Sequence, residues 1–254
     1  MKKTVLFTLA LISTLLINAQ PGKVTAQLPK LSPHLVVFNQ AIISGDLVTA
    51  ISSLNYFIAE QKGNTTYCDT LAMLYMQQGA FPQCFYWADR RLALKPDDNS
   101  LMEMKAICLD KLQQPKESID LFEKLFKKTQ SPYHAYKLME LQYGIKRLEE
   151  CLATANAAEK LQFKPEMTMT YTVGEQMGRT YLQAGIFNIH GLALYDLNKK
   201  PEAKTYFEKA VSMDSNFVLA KQNLEAVKAT LNPPAEKKVN TPTGGIPPVA
   251  NKQN

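Results

Sequence analysis

This chain is poor in the residues that usually carry chemistry. Its three His stand at positions 34, 134 and 190, so no two share the i, i+4 spacing that puts paired metal ligands on one helical face. The four Cys, at 68, 84, 108 and 151, form no C-x-x-C, which removes the usual zinc and thioredoxin-like readings. A Gly-rich phosphate loop, a G-x-S-x-G elbow and an H-E-x-x-H helix are all missing. Carboxylate pairs such as Glu149–Glu150 and Asp97–Asp98 fall on expected solvent faces or turns, where nothing raises their pKa. The expectation is a protein that is not an enzyme and holds no cofactor or metal. Lys and Arg are not clustered with aromatics, which argues against nucleic acid as a partner. The excess of 29 Lys and Arg over 23 Asp and Glu belongs in part to Lys2 and Lys3.

The sequence has one long apolar run, and it lies at the start. Lys2 and Lys3 precede a greasy stretch from Val5 to Ile17, followed by Asn18-Ala19-Gln20. That order of charge, short apolar segment and small residue is the layout of a secretory signal peptide, residues 1–19. Cleavage is expected after Ala19, with Ala26 as a second site. The run is too short to span a bilayer comfortably and no second run follows, so no transmembrane segment is expected in the mature chain.

From residue 31 to 231 the chain is helical by periodicity. A step of 34 residues divides it into units at 31–64, 65–98, 99–132 and 133–166, and a further unit starts late, at 184–217. The last is the clearest. It carries Gly191, Ala203, Phe207 and Ala210 at its eighth, twentieth, twenty-fourth and twenty-seventh positions. Small residues at such positions let two helices approach, and the aromatic fills the space between them. In the second unit Ala88 takes the aromatic's place, and Trp87 is expected to pack alongside. In the fourth, Leu148, Cys151, Leu152 and Ala155 slip by about one residue against the other units.

These spacings resemble the tetratricopeptide repeat, a helix–turn–helix unit of 34 residues. The resemblance implies an all-α, right-handed solenoid of about five helix pairs. Val218–Leu231 places Ala220, Leu224 and Val227 on one face and Lys221, Gln222 and Glu225 on the other, as a helix capping the stack should. Beyond it, residues 232–254 are rich in Pro, Gly, Asn and Lys and read as a disordered tail.

One stretch breaks the period. Residues 167–172, MTMTYT, alternate apolar and polar, a strand pattern, and two Gly follow before Arg179-Thr180-Tyr181-Leu182. A β-hairpin inserted at 167–182 is expected, either packed back over the array or offering a strand edge to a partner. A signal peptide followed by helix pairs with such an insert also resembles the exported tetratricopeptide proteins of Bacteroidetes-type bacteria. That implies the periplasm of a Gram-negative cell and association with an envelope complex.

The family's concave groove, lined by the first helix of each pair, holds a peptide or protein segment. By resemblance, the groove candidates here are Asp69, Met73, Met76, Glu103, Lys137, Asn188 and Tyr195. The family's carboxylate clamp of Lys and Asn is matched only by Lys137 and Asn39, in separate repeats. Met73 and Met76 fit either an adaptable apolar patch or the core. The resulting expectation is a scaffold or adaptor for a protein or peptide partner. The alternative is a solute- or glycan-binding accessory of an outer-membrane uptake system. The four Cys read as small core residues; if a bridge forms, Cys84 with Cys108, across neighbouring repeats, is the expected pair.

Overall fold

The computed structural model describes residues 32–61 and 66–232; the expected signal peptide and all of the tail beyond Asn232 lie outside these. The described residues form five helix pairs and a final single helix. The pairs are α1 (Pro33–Ser44) with α2 (Leu47–Glu60), α3 (Cys68–Gln77) with α4 (Phe81–Leu92), and α5 (Asn99–Lys111) with α6 (Pro115–Thr129). There follow α7 (Pro132–Gly144) with α8 (Leu148–Ala158), strands β1 (Thr168–Val173) and β2 (Gln176–Tyr181), α9 (Leu182–Asp196) with α10 (Lys200–Met213), and α11 (Val218–Leu231).

Local chemistry sets the helix ends. Pro33, Pro115 and Pro132 open α1, α6 and α7, where a missing N–H costs nothing. Asp98 caps α5 by accepting from the N–H groups of Ser100 at 3.1 Å and Leu101 at 3.2 Å. The turn inside each pair is the same motif five times. One residue enters the left-handed region, at Gly45, Gly79, Gln113, Lys146 and Asn198. Its N–H bonds a carbonyl three residues back, and the next N–H bonds one five back, as Gln113 to Asp110 and Gln114 to Leu109 do. Successive left-handed residues are 34, 34, 33 and 52 positions apart. The slip in the fourth unit is thus a shortening by one residue, and the long last interval contains the hairpin.

The helices close on small residues as the repeat requires. A Cβ on Gly191 would stand 2.6 Å from the Phe207 ring, so the ring occupies the space the glycine leaves. Ala203 and Ala210 are fully buried on either side. In earlier pairs the corresponding small side chains bond the partner helix: Ser118 Oγ donates to the Ala106 carbonyl at 2.8 Å and Cys151 Sγ to that of Met139 at 3.6 Å. Ala88 is buried, and Trp87 packs against both the α1–α3 core and the core between α3, α4 and α5.

First helices also touch across pairs: α3 meets α5, α7 meets α9 and α9 meets α11. Second helices of successive pairs meet weakly or not at all. The layer whose members touch is the shorter arc of a curved stack, which puts the first helices on the concave side.

The hairpin differs from its expected form in one respect. Its turn is only Gly174-Glu175, with φ +58° at Gly174, so β2 starts at Gln176 and α9 already starts at Leu182. A glycine at the first of two turn positions suits type II′, which matches the twist of paired strands. Gly178, expected in the turn, is instead a strand residue opposite Tyr171, and a Cβ there would overlap the Tyr171 ring.

Candidate functional site

The hairpin packs over the array rather than standing away from it. Its inner face carries Met169, Tyr171 and Thr180. Met169 sits against Tyr136 of α7 and over Gly185 of α9, where a Cβ would collide with its sulfur. The Tyr171 ring packs tilted against Phe217, ring centres 4.8 Å and planes 55° apart, and its hydroxyl donates to the Asn216 carbonyl at 3.3 Å. Thr180 Oγ1 donates to Asp214 at 2.7 Å. The strap thus reaches from α7, across α9, to the α10–α11 turn. Its outer face presents Thr172 and Met177 to solvent, while Thr170 and Arg179 border the space beside α7.

Between α7 and the hairpin lies an open recess of about 310 Å³. Tyr133, Tyr136, Lys137 and Glu140 form one wall and Thr168, Thr170 and Arg179 the other. Burial pulls the Lys137 ammonium down, but the adjacent Glu140 carboxylate, with smaller contributions from Tyr133 and Asp110, outweighs it and leaves the pKa raised. Burial first, then Glu140, pushes the Tyr136 hydroxyl far up, so it stays protonated. Tyr133 is raised mainly by burial as well, yet its ring is 38% exposed and free to be covered. The recess therefore offers a hydroxyl-bearing aromatic floor, one internally balanced ion pair and the exposed Arg179.

The other groove candidates fare differently. On α3, Met73 is 44% exposed, whereas Met76 packs against the buried Cys84–Cys108 core. Asp69 is half-buried and accepts from the Thr70 N–H at 2.9 Å. Glu103 is held by His134, Oε2 to Nε2 at 3.0 Å. His134 Nδ1 lies 2.7 Å from Thr129 Oγ1, so acid, imidazole and hydroxyl stand in a row. Thr129, however, also lies 2.8 Å from the Leu125 carbonyl and accepts from Ser131 N–H at 3.2 Å. Its hydroxyl is engaged at the end of α6, and the row works as a latch between α5, α6 and α7.

Asn188 is buried and accepts from Asn223 of α11 at 2.8 Å, so it faces the cap rather than open groove. Tyr195 is half-buried against the core of the last pairs. The structure thus brings Lys137 into a recess, leaves Met73 open, and does not gather the seven candidates into one patch. Tyr133, Tyr136 and Arg179 were missed by sequence reasoning. The turn-of-helix spacing from Lys137 to Tyr133 could have suggested the first; nothing local links Arg179 to α7.

His190 is buried and stacked on Tyr206 with ring centres 3.7 Å apart. Its Nδ1 is 2.8 Å from Glu159 Oε1, close enough for attraction but aligned too poorly for a hydrogen bond. Among the described residues no group of His, Cys, Asp and Glu is arranged to hold a metal ion, and no helix is long and apolar enough to cross a membrane.

Neither a protein-family model nor a curated protein matches the chain. Solved structures do match in fold. YrrB, described as a tetratricopeptide-repeat protein with an unusual peptide-binding site, aligns with a TM-score of 0.60 at 14% identity, over 76% of this chain and 91% of that one. MamA aligns at 0.59 and 14% identity, over 72% and 90%. MamA from residue 41 of Desulfovibrio magneticus RS-1 aligns at 0.57 and 15% identity, over 72% and 94%.

Proposed function

This chain has the tetratricopeptide-repeat fold, and we propose that it is a non-catalytic scaffold binding an extended or helical peptide of a partner protein in its concave groove. The recess between α7 and the hairpin carries the reading. A solenoid groove normally has one wall of first helices; here a second wall, with Arg179 and two threonines, stands opposite Tyr133 and Lys137. An aromatic floor between polar walls suits a peptide whose side chains alternate into the recess. Met73, on the first helix α3 of its pair, is exposed as well. The description of YrrB as peptide-binding supports the same use of this fold. No observation favours a solute- or glycan-binding role.

The N-terminal charge and apolar run support export to the periplasm of a Gram-negative, Bacteroidetes-type cell, with an envelope protein as the partner. Fractionation of the native cell tests this: recovery in the cytoplasm would end it. For the groove, peptides selected from a random library should bind the protein and lose about tenfold or more in affinity when Met73, Tyr133 and Arg179 are all changed to Ala. All three are exposed, so melting should stay unchanged. Equal affinity in parent and variant would move the site elsewhere.

A further inference from the structure

The hairpin meets the array through the side chains of its inner face, which leaves the backbone edges of its strands as a separate question. Val173 and Gln176 flank a two-residue turn, so they exchange main-chain bonds, and bonded pairs recur at every second residue from there. Met167 fits that parity at the other end, its carbonyl accepting from the Leu182 N–H at 2.9 Å. Met169, Tyr171 and Val173 therefore turn their main-chain groups towards β2. Thr168, Thr170 and Thr172 turn theirs away from it. Among the described residues the sheet holds only these two strands, and no other main-chain group bonds the three threonines. Thr168 and Thr170 line the open recess of about 310 Å³ whose far wall is α7. The unpaired edge of β1 thus faces a space and not packed protein.

We infer that the partner's peptide lies there as a third strand, extended along β1, with an acidic residue between two apolar ones. The inference rests on the groove reading and specifies how the groove holds its ligand. An open edge offers N–H and C=O groups at fixed spacing, which an extended chain satisfies whatever its sequence. A helical peptide uses its own main-chain groups internally and would leave the edge unpaired. Side chains of an added strand alternate between the two faces of the sheet. Those pointing inward share the face of Met169 and reach Tyr136 and Tyr133, which suits apolar residues. The residue beside Thr170 points outward, on the face of Arg179, the cross-strand neighbour of Thr170. Lys137 and Glu140 already balance one another, so the exposed Arg179 is the charge that residue meets, and a carboxylate complements it.

The test uses the full chain and the tightest peptide selected against it from a random library. Replacing the peptide's amides one at a time by N-methyl amides should weaken binding about tenfold or more at alternate positions, and little between them. Thr170→Pro deletes an N–H that β2 does not use, so melting should stay unchanged while the peptide binds about tenfold or more weakly. The amide scan is made on the unaltered protein and decides the matter should this variant fold less well. Selection repeated on Arg179→Glu should exchange the acidic residue for Lys or Arg; the same acidic peptides would refute the charge pairing. Sensitivity at successive amides, or at none, would overturn the added strand. Binding that still depended on Met73, Tyr133 and Arg179 would then leave the groove reading in place, whereas a library without a binder would end both.

Discussion

At the first helix pair Val36, Val37 and Val48 lie exposed and Ile43 is 86% exposed. At the last, α11 turns Lys221, Gln222 and Glu225 outward and buries Ala220, Leu224 and Val227. The joints differ as well. Helix α2 meets α3 over less of its length than any other pair of successive helices meets. Towards the other end one core runs from α7 to α11, joined by Asn188–Asn223, Lys209–Glu159 and the hairpin's bonds to the α10–α11 turn. In a stack, stability is approximately the sum of each unit's own stability and its contacts with neighbours. Among the described residues the first pair has one neighbour and a thin joint, and the last pairs have several. Opening should therefore begin at the first pair and spare α7–α11.

The largest expected effect comes from Phe207→Ala, which empties the space over Gly191 and should cost about 3–5 kcal/mol in denaturant unfolding. Amide exchange should then speed up throughout α9–α11, removing the contrast between the ends. A cost below about 1 kcal/mol would show that the ring is not a keystone of that core. Leu54→Ala, in the core of the first pair, should cost about 2–4 kcal/mol. Here faster exchange should stay within α1 and α2, and its spread to α9 would refute the idea of separable ends.

Gln113→Gly sharpens the comparison from the middle. The residue holds φ +60°, a conformation that costs a side-chain-bearing residue about 1 kcal/mol and glycine little. The variant should be more stable by about that amount, and a loss of stability would mean that the Gln113 side chain has an unrecognised role.

The smallest effect is a pH slope confined to the well-joined end. Burial holds the His190 imidazole below its ordinary 6.5, Glu159 opposing and Lys209 reinforcing that shift. The unfolded chain therefore takes up this proton more readily than the folded one. Stability from this group is fully present above pH 6.5 and declines as the pH falls below it. His190→Phe should flatten the slope between about pH 7.5 and 5.5. Parallel melting curves for parent and variant across that range would remove His190 as its source.

What could be read from the sequence followed the reach of its signals. Gly191, Ala203, Phe207 and Ala210 are separated by fixed steps inside one unit, so the helix pair they form was legible. Strict alternation in MTMTYT marked a strand, and the two faces of Val218–Leu231 marked a cap. The candidate site was less legible because its partners lie far apart in sequence. Glu103 looked open until His134, a repeat later, was found holding it. Asn188 looked like groove lining until Asn223 closed over it. Arg179 faces α7 only because the hairpin folds back, and the alternation that reveals a strand says nothing about where it lies. Gly178 misled for a related reason: the same residue serves a turn or makes room for a ring, and only the position of Tyr171 decides which.

The interval of 52 residues between Lys146 and Asn198 has a further consequence. Despite the added length, α9 still lands on α7 as α5 lands on α3. The extra chain leaves and returns at the same rim, so the phase of the stack is preserved. Chain length at that rim is thus a free variable, whereas length inside a pair is not. New recognition elements can be grafted between pairs, each able to lean over the groove and change what it accepts, while the helices beneath keep their places.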